Sequence, residues 1–303
     1  MGEFMKQKLS FILLLLTITI IWGGAFVFQN LASQYVSSFT FNFLRFFIAS
    51  IALLPLSIVS YRKDVKNGNK INAKQLIIGS VLCGGFLSLA SILQQYGIQY
   101  TSVGKAGFIT SSYILIIPLI SLIFKKRYGI NVYIAVFLSL IGLYLLCVND
   151  SFTFEKGDLF LLGCALCFAI QIMIIEYFAK KVNNLCLSLG QSLFSCLICI
   201  LPMIFIEQPS MKQITLSLPP VLYVAIMSTV IGYTGQIVAQ KHINPTIASL
   251  IMSLESVFSV IFGALILKQF LLTNELIGCI IMFISIIFSQ LPENLFKFKR
   301  KKL

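Results

Sequence analysis

Charged side chains are scarce in this sequence. Asp, Glu, Lys and Arg together account for 11% of the 303 residues, and only ten of these are acidic. A soluble domain carries about 25% charged residues. Here 58% of the residues are hydrophobic and the mean hydropathy is +0.95, so water could not solvate the chain as a folded globule. The shortage of charge therefore excludes a soluble protein and predicts a membrane protein.

Catalytic and metal-binding motifs are missing as well. The chain has a single histidine, His242, and it contains no glycine-rich phosphate loop, no H-E-x-x-H zinc motif and no nucleophile elbow. No nucleotide-binding domain is recognisable, so we do not expect the chain to hydrolyse ATP. These absences predict a protein that is not an enzyme and that uses neither a cofactor nor a metal ion.

The eight cysteines do not change this prediction. Cys164 with Cys167, and likewise Cys196 with Cys199, have the C-x-x-C spacing of zinc-binding or redox pairs. Both pairs lie inside apolar runs, where cysteine behaves as a small hydrophobic residue. We therefore expect them to be packing residues.

Long apolar runs dominate what is present. A helix needs about 20 apolar residues to cross roughly 30 Å of hydrocarbon, and these runs lack the alternation of apolar and polar positions that transmembrane strands have. Ten segments qualify: 9–31, 38–60, 74–97, 102–124, 130–148, 158–179, 184–206, 217–240, 244–267 and 272–291. The sequence predicts an all-α integral membrane protein with ten transmembrane helices.

The positive charges predict the orientation of these helices, because Lys and Arg in short loops are retained on the cytoplasmic side. With a cytoplasmic N-terminus, 18 of the 23 cations fall in cytoplasmic segments, four in external segments and one, Arg45, inside a span. We therefore predict a multi-pass protein of the bacterial inner (plasma) membrane with both termini in the cytoplasm. The cations form short clusters between apolar runs, so we expect no nucleic-acid partner.

Five helices per half imply an inverted arrangement. Two halves with an odd number of spans must face opposite ways across the membrane, as in the inverted repeats of many transporters. We predict a first five-helix repeat at 5–150 and a second at 151–292, flanked by a cloning scar at 1–4 and a basic cytoplasmic tail at 293–303. A faint internal match supports the repeat: at an offset of 142, Gln94 falls on Gln236, Ala106 on Ala248, Ile109 on Ile251 and Ser111 on Ser253.

Several short motifs resemble those of one transporter family. WGGAF at 22–26 and LRF at 44–46 look like the opening of the drug/metabolite transporter (DMT) superfamily, EamA type. GIQYTSVGKAGFITS at 97–111, followed by Pro118, resembles the junction of that family's third and fourth helices. ASL at 248–250 and SLE at 253–255 resemble its ninth helix. The resemblance covers essentially the whole chain.

This resemblance implies a ten-helix carrier, built from two inverted five-helix repeats, that commonly exports amino acids or other small metabolites. It also implies a peripheral second helix, which favours a structural role for Arg45. The chain departs from the family where Ser256 replaces a frequent proline and where Lys268-Gln269 replaces a frequent Gly-Glu. Without that proline, we expect a ninth helix with less of a kink.

Polar residues inside the spans are the candidates for a substrate path, because a polar side chain in hydrocarbon is costly unless it faces protein or a water-filled cavity. Glutamine both donates and accepts hydrogen bonds, and Tyr and Trp combine a flat apolar surface with a polar group. Such a lining suits a small amphiphilic solute. The alternative is that these groups only bond one helix to another. The predicted lining comprises Trp22, Gln29, Ser91, Gln94, Gln95, Ser112, Tyr113, Thr229, Tyr233, Gln236 and Glu255.

Glu255 is the most unusual residue of this set. It lies about eleven residues into the ninth segment, which at 1.5 Å per residue is roughly 16 Å deep and near the midplane. A carboxyl group at that depth is either protonated or paired. We interpret Glu255 as a group that binds a cationic part of the substrate or carries a coupling proton. A static structural role is the alternative.

The leading functional prediction is a secondary transporter, an exporter or exchanger of small metabolites such as amino acids, that works by alternating access. A multidrug or organic-cation efflux carrier is the main alternative. A channel would need a filter of acidic or carbonyl rings, and an intramembrane enzyme would need paired catalytic residues at depth. The expected partners are a small-molecule substrate and membrane lipids. The sequence does not distinguish a monomer from a homodimer.

The charge distribution yields a topological prediction. In a background without native cysteines, a cysteine at Ser151 or Ser210 should react with an impermeant thiol reagent in intact cells, and one at Asn69 only after lysis. Mass-tag labelling before and after lysis measures this. Labelling at Asn69 in intact cells would show that the predicted orientation is wrong.

Overall fold

The computed structural model describes residues 2–68, 72–125, 128–147, 156–268 and 273–289. These residues form helices joined by short turns, with no strand among them. The predicted tail at 293–303 lies outside the described residues, as does Met1 of the predicted scar. The fold is therefore described from the ten helical segments that these ranges contain.

We number the ten helical segments α1 to α10 in chain order. The uninterrupted ones are α1 (Gly2–Ser33), α2 (Ser38–Lys66), α3 (Ala73–Ile98), α5 (Ile130–Cys147), α6 (Lys156–Ala179) and α10 (Thr273–Ser289). The last turn of α7 (Asn184–Glu207) is π-helical, and so is the middle of α8 (Met211–Gln240), at Val224–Tyr233. Each of α4 (Val103–Ile123) and α9 (Pro245–Leu267) is interrupted near its centre.

Length and hydropathy confirm the predicted class. Eight of the helices are long and apolar enough to cross a membrane, and α5 and α10 contain the shorter apolar stretches Ile130–Gly142 and Leu276–Ser289. These ten helices correspond one to one with the ten predicted segments. The chain is an all-α membrane protein with ten transmembrane helices.

The helices pack as two inverted five-helix repeats, in which α1 to α5 correspond to α6 to α10. Along their lengths, α2 contacts α7, α4 contacts α9, and α5 contacts α10, so three helices each meet their own equivalent. In addition, α3 packs on α6 and α7, and its equivalent α8 packs on α1 and α2. This pattern, in which equivalent helices make equivalent contacts with the other repeat, is expected when two repeats are related by a pseudo-two-fold axis, as in many transporters.

The interruptions of α4 and α9 occupy equivalent positions. The two parts of α4 are Val103–Ser111 and Tyr113–Ile123, and those of α9 are Pro245–Met252 and Glu255–Leu267. At each break a serine hydroxyl donates to the carbonyl three residues earlier, Ser112 to Ile109 at 2.6 Å and Ser253 to Leu250 at 2.8 Å. Such bonds compete with regular helical bonding and bend helices. The expectation of a less kinked α9 is therefore wrong, because the helix is interrupted between Met252 and Glu255 without a proline at 256.

The helix ends form two faces of the bundle. The face where α1 begins and α2 ends is called the basic face here, because its loops carry most of the described Lys and Arg residues. On the opposite face, Glu207 at the end of α7 accepts hydrogen bonds from the backbone N–H groups of Phe39 (2.9 Å) and Thr40 (2.6 Å). The carboxylate thus caps the positive end of α2. On the same face, Lys105 pairs with Asp158 at 2.8 Å and joins the starts of α4 and α6.

Close packing of α1 on α9 generates a stability prediction. A Cβ atom added at Gly23 would lie 2.7 Å from the carbonyl carbon of Phe258 and 2.9 Å from the backbone nitrogen of Ser259. Backbone cannot yield to that overlap, so Gly23→Ala should destabilise the protein by about 1–3 kcal/mol, the usual cost of overpacking. Thermal unfolding of the purified protein in detergent measures the effect.

Gly85→Ala is the matched control, because its Cβ would lie 3.9 Å from the nearest neighbouring atom, a ring carbon of Phe194. That distance is an ordinary contact, and alanine favours the helix over glycine by roughly 1 kcal/mol. Equal thermal midpoints for the two variants would contradict the described packing of α1 on α9.

Candidate functional site

A central cavity lies between the two repeats. Its volume is about 30 Å³. The cavity is therefore narrow in this conformation. It is lined by Trp22, Ala25, Phe26, Gln29, Arg45, Gln94, Tyr113, Phe168, Ile172, Ser228, Tyr233, Gln236, Met252 and Glu255.

Glu255 and Tyr113 meet across the pseudo-two-fold axis. The hydroxyl of Tyr113 donates to Oε1 of Glu255 at 3.0 Å, and the two residues are 142 positions apart, so the repeat makes them equivalents of one another. Beside them, the hydroxyl of Ser111 donates to the carbonyl of its own equivalent, Ser253, at 3.5 Å. Tyr113 is the first residue of the second part of α4, and Glu255 is the first residue of the second part of α9. The breaks therefore place a phenol and a carboxyl group face to face in the cavity wall.

Arg45 is buried and lines the same cavity, although the resemblance implied a peripheral second helix and a structural role for this residue. Its Nε donates to the hydroxyl of Thr229 at 3.2 Å, and its guanidinium lies 5.0 Å from the ring centroid of Phe46 and 5.8 Å from that of Tyr233. Aromatic faces and a neutral hydroxyl stabilise the cation here. Within the described part of the chain, neither Arg45 nor Glu255 forms an ion pair.

Trp22 and three glutamine residues also belong to the polar lining. The indole Nε1 of Trp22 donates to the carbonyl of Ser228 at 3.1 Å, and its ring lies 5.2 Å from that of Tyr233. Gln94 and Gln236, equivalent under the repeat, both face the cavity. The Oε1 atom of Gln236 has no hydrogen-bond partner among the described residues, and the same holds for Oε1 of Gln29. The cavity therefore presents buried acceptors that a bound solute could satisfy.

Four residues predicted to line the cavity lie outside its wall. Gln95 donates to the backbone carbonyl of Gln29 at 3.1 Å, and the hydroxyl of Thr229 donates to the carbonyl of Val224 at 3.0 Å. Ser112 bonds within α4, as described above, and Ser91 is buried behind the wall, where its carbonyl accepts from Asn42. These residues join helix to helix or support residues that do face the cavity.

Sequence reasoning missed the part of the wall contributed by α2, α6 and the first half of α9. Arg45 could have been predicted, because a charge inside a span needs a partner, but the resemblance favoured a structural role for it. Phe168, Ile172 and Met252 gave none, since an apolar residue in a transmembrane helix faces lipid, protein or cavity equally well. Only the rotation of each helix against its neighbours shows that these three face inward.

The chemistry available in this cavity is that of recognition. A cation, a carboxyl group, three amides and several aromatic rings can bind a small amphiphilic molecule through charge, hydrogen bonds and stacking. Among the described residues, no cluster of three or more His, Cys, Asp or Glu could hold a metal ion. The site is suited to holding a solute rather than to transforming one.

Comparison with known proteins extends the motif-level resemblance to the whole chain. A model of the EamA-like transporter family matches twice, over residues 9–148 and 155–291. An uncharacterized transporter of Archaeoglobus fulgidus is 29% identical over 277 residues, which cover 90% of this chain and 83% of the relative. An uncharacterized transporter of Haemophilus influenzae is 28% identical over 272 residues, covering 86% of this chain and 85% of the relative.

The fold itself also matches a solved crystal structure. The TM-score is 0.76 over 95% of this chain and 99% of the other, at 16% sequence identity. A likeness at that identity concerns the fold alone.

The contact between Tyr113 and Glu255 generates a prediction about stability. Tyr113→Phe removes the donor and leaves a buried carboxyl group without this partner, which should cost about 1–3 kcal/mol. Tyr35→Phe, at a residue that is 38% exposed, is the matched control and should cost little. Thermal unfolding of purified protein measures both.

A double-mutant cycle separates this contact from general loss of packing. If the hydrogen bond exists, Tyr113→Phe should cost less in a Glu255→Leu background than in the parent, because leucine offers no acceptor and the two changes then remove the same interaction. Strictly additive effects would contradict the contact.

Proposed function

We propose, from the lining of its central cavity, that this protein carries small zwitterionic metabolites of the amino-acid class. The chain belongs to the EamA-like transporter family and is a membrane transporter. In this proposal it is a secondary transporter, an exporter or exchanger, that works by alternating access. The basic face lies in the cytoplasm of a bacterial cell, as the distribution of Lys and Arg favours.

One observation carries the proposal: a guanidinium and a carboxyl group line one buried cavity without pairing with each other. Arg45 donates to a neutral hydroxyl, and Glu255 accepts from the neutral phenol of Tyr113. Burying an unpaired charge is costly, so Arg45 gains from an anionic ligand group, and a cationic ligand group beside Glu255 favours its ionised form. A zwitterion offers a carboxylate to Arg45 and an ammonium group to Glu255, and charge-assisted hydrogen bonds of this kind are the strong ones.

The rest of the wall supports a solute with an apolar side chain. Trp22, Phe26 and Phe168 provide flat aromatic surface, and Gln94 and Gln236 provide donors and acceptors beside it. Aromatic rings pack well against aromatic or branched side chains. A neutral or aromatic amino acid fits this combination better than a sugar, which would need a more polar lining.

Alternating access fits the interrupted helices. The cavity is narrow, so a solute enters or leaves only if the surrounding helices move. The breaks in α4 and α9 lie directly beside Tyr113 and Glu255, at the interface of the repeats. Interrupted helices at such an interface are the usual site of substrate binding and gating in inverted-repeat transporters. Movement at these two breaks would open the cavity to one face at a time.

An organic-cation carrier is the second candidate. Glu255 among aromatic rings could hold a cation through charge and cation–π attraction. Such a substrate makes no use of Arg45, whose positive charge would repel it. The role of Arg45 therefore separates the two candidates.

The charge-pair proposal generates a binding and transport prediction. A thermal-shift screen against amino acids, nucleosides and organic cations should select an amino acid, since a ligand of the folded state raises its stability. Arg45→Gln and Glu255→Gln should each weaken its binding by roughly tenfold to a hundredfold, the value of a charge-assisted hydrogen bond. Exchange of the selected amino acid in proteoliposomes, per correctly folded molecule, should fall in parallel.

Two control variants accompany these changes: one keeps the positive charge at position 45, and the other makes a Glu-to-Gln change away from the cavity. Arg45→Lys should retain part of the activity, and Glu176→Gln, which breaks the ion pair with Lys180 on the basic face, should leave exchange unchanged. If Glu255 instead carries a coupling proton, Glu255→Gln should abolish uptake driven by a pH gradient and preserve exchange. Normal exchange and normal pH-driven uptake in Arg45→Gln and Glu255→Gln would refute the proposal. Improved binding of an organic cation by Arg45→Gln would favour the second candidate.

A further inference from the structure

A groove opens on the outer surface of the bundle between α2, α3 and α7, away from the central cavity. Its volume is about 550 Å³. Its walls are mostly apolar, and several of their side chains are exposed, Ile77 and Leu197 by 64% each. In a membrane this groove faces the lipid tails. Its principal apolar residues are Ile58, Ile77, Val81, Leu193 and Leu197.

At the basic face the groove continues into a polar pocket of about 490 Å³. The two share Tyr61, Leu76 and Cys186 as lining residues, so they form one continuous surface that is apolar at membrane depth and polar at its end. A surface whose polarity changes in this way is complementary to an amphipathic ligand with an apolar tail and a polar head.

The polar pocket is electropositive. Arg62 lies at its junction with the groove, and Lys180, Lys181 and Lys241 line it. Lys180 pairs with Glu176 and Lys181 lies over the ring of Tyr177, both partners being outside the lining, so Lys241 in the pocket and Arg62 in the adjoining groove carry the argument. Asp64 is the sole carboxylate among the lining residues of the pocket. The balance of charge favours an anionic head group.

Two helix N-termini also point to an anion in this pocket. Asn72 caps the start of α3 and Asn183 caps the start of α7, each by accepting a backbone N–H with its side chain, and both residues line the pocket. The N-terminus of a helix carries partial positive charge and binds phosphate groups readily. Two such termini therefore line the same pocket as Lys241 and adjoin Arg62.

We propose that the groove and the pocket together bind one anionic phospholipid of the surrounding membrane. Its acyl chain lies in the groove between α2, α3 and α7, and its phosphate lies in the pocket between Arg62 and Lys241. Basic pockets between transmembrane helices bind anionic head groups in this way. A second copy of the chain does not fit, because a two-fold interface apposes the same patch of both subunits and would bring two electropositive pockets together.

Native mass spectrometry of the purified protein tests the site. Protein is incubated with phosphatidylglycerol or with phosphatidylcholine of the same acyl chains, and the retained lipid is counted. We expect one molecule of phosphatidylglycerol to be retained in preference to phosphatidylcholine. Arg62→Gln and Lys241→Gln should each reduce that preference about fivefold, since a cation near the membrane surface contributes about 1 kcal/mol. Lys212→Gln, with the same charge change on the opposite face, should leave it unchanged.

A second pair of variants tests the groove. Leu193→Trp fills it, whereas Leu201→Trp changes an exposed residue of the same helix that does not line it. We expect Leu193→Trp to lose the retained lipid and Leu201→Trp to keep it, with equal thermal midpoints before lipid is added. Equal retention by these two variants, or an unchanged preference in the double variant Arg62→Gln/Lys241→Gln, would overturn the proposal. A dimeric parent protein that Leu193→Trp converts to a monomer would assign the groove to a second copy instead.

Discussion

Hydrocarbon cannot solvate a carboxyl group, and the centre of this structure is arranged around that constraint. Glu255 lies in the middle of a span, so a donor must reach it from within the protein. Tyr113, the residue equivalent to Glu255 in the other repeat, provides that donor at 3.0 Å. The contact requires α4 and α9 to approach closely and to be interrupted at the same depth. Small residues at this interface, Gly107, Ser256 and Ser259, allow that approach.

The same constraint explains how a second charge is kept in the cavity. Arg45 is surrounded by aromatic rings and by the hydroxyl of Thr229, which stabilise a cation without neutralising it. Its helix, α2, is capped at the start by the carboxylate of Glu207 from α7. The repeats thus hold the guanidinium and the carboxyl group unpaired, so both remain able to interact with a ligand. If they paired with each other, little driving force would remain for a ligand.

The central cavity and the lateral groove differ in what surrounds them. The cavity is enclosed by side chains from both repeats, and its polar groups converge from several helices, which suits a molecule that must be held and then released. The groove opens to the lipid tails and ends in an electropositive pocket at the basic face. It suits a ligand that remains in the membrane, and its helices, α2, α3 and α7, also belong to the contact between the repeats.

The sequence by itself determined the class of the protein, the ten spans and the depth of Glu255, because these depend on hydrophobicity and length along the chain. It also indicated the offset of 142 that makes Gln94 equivalent to Gln236. Only the tertiary structure decided which polar residues share the cavity. Arg45 faces inward and Ser91 does not, although both are polar residues within spans, because the rotation of each helix is set by packing against segments distant in sequence. In α8, the regular α-helical period would place Thr229 on the same face as Tyr233 and Gln236, but the helix is π-helical over Val224–Tyr233 and only the latter two line the cavity.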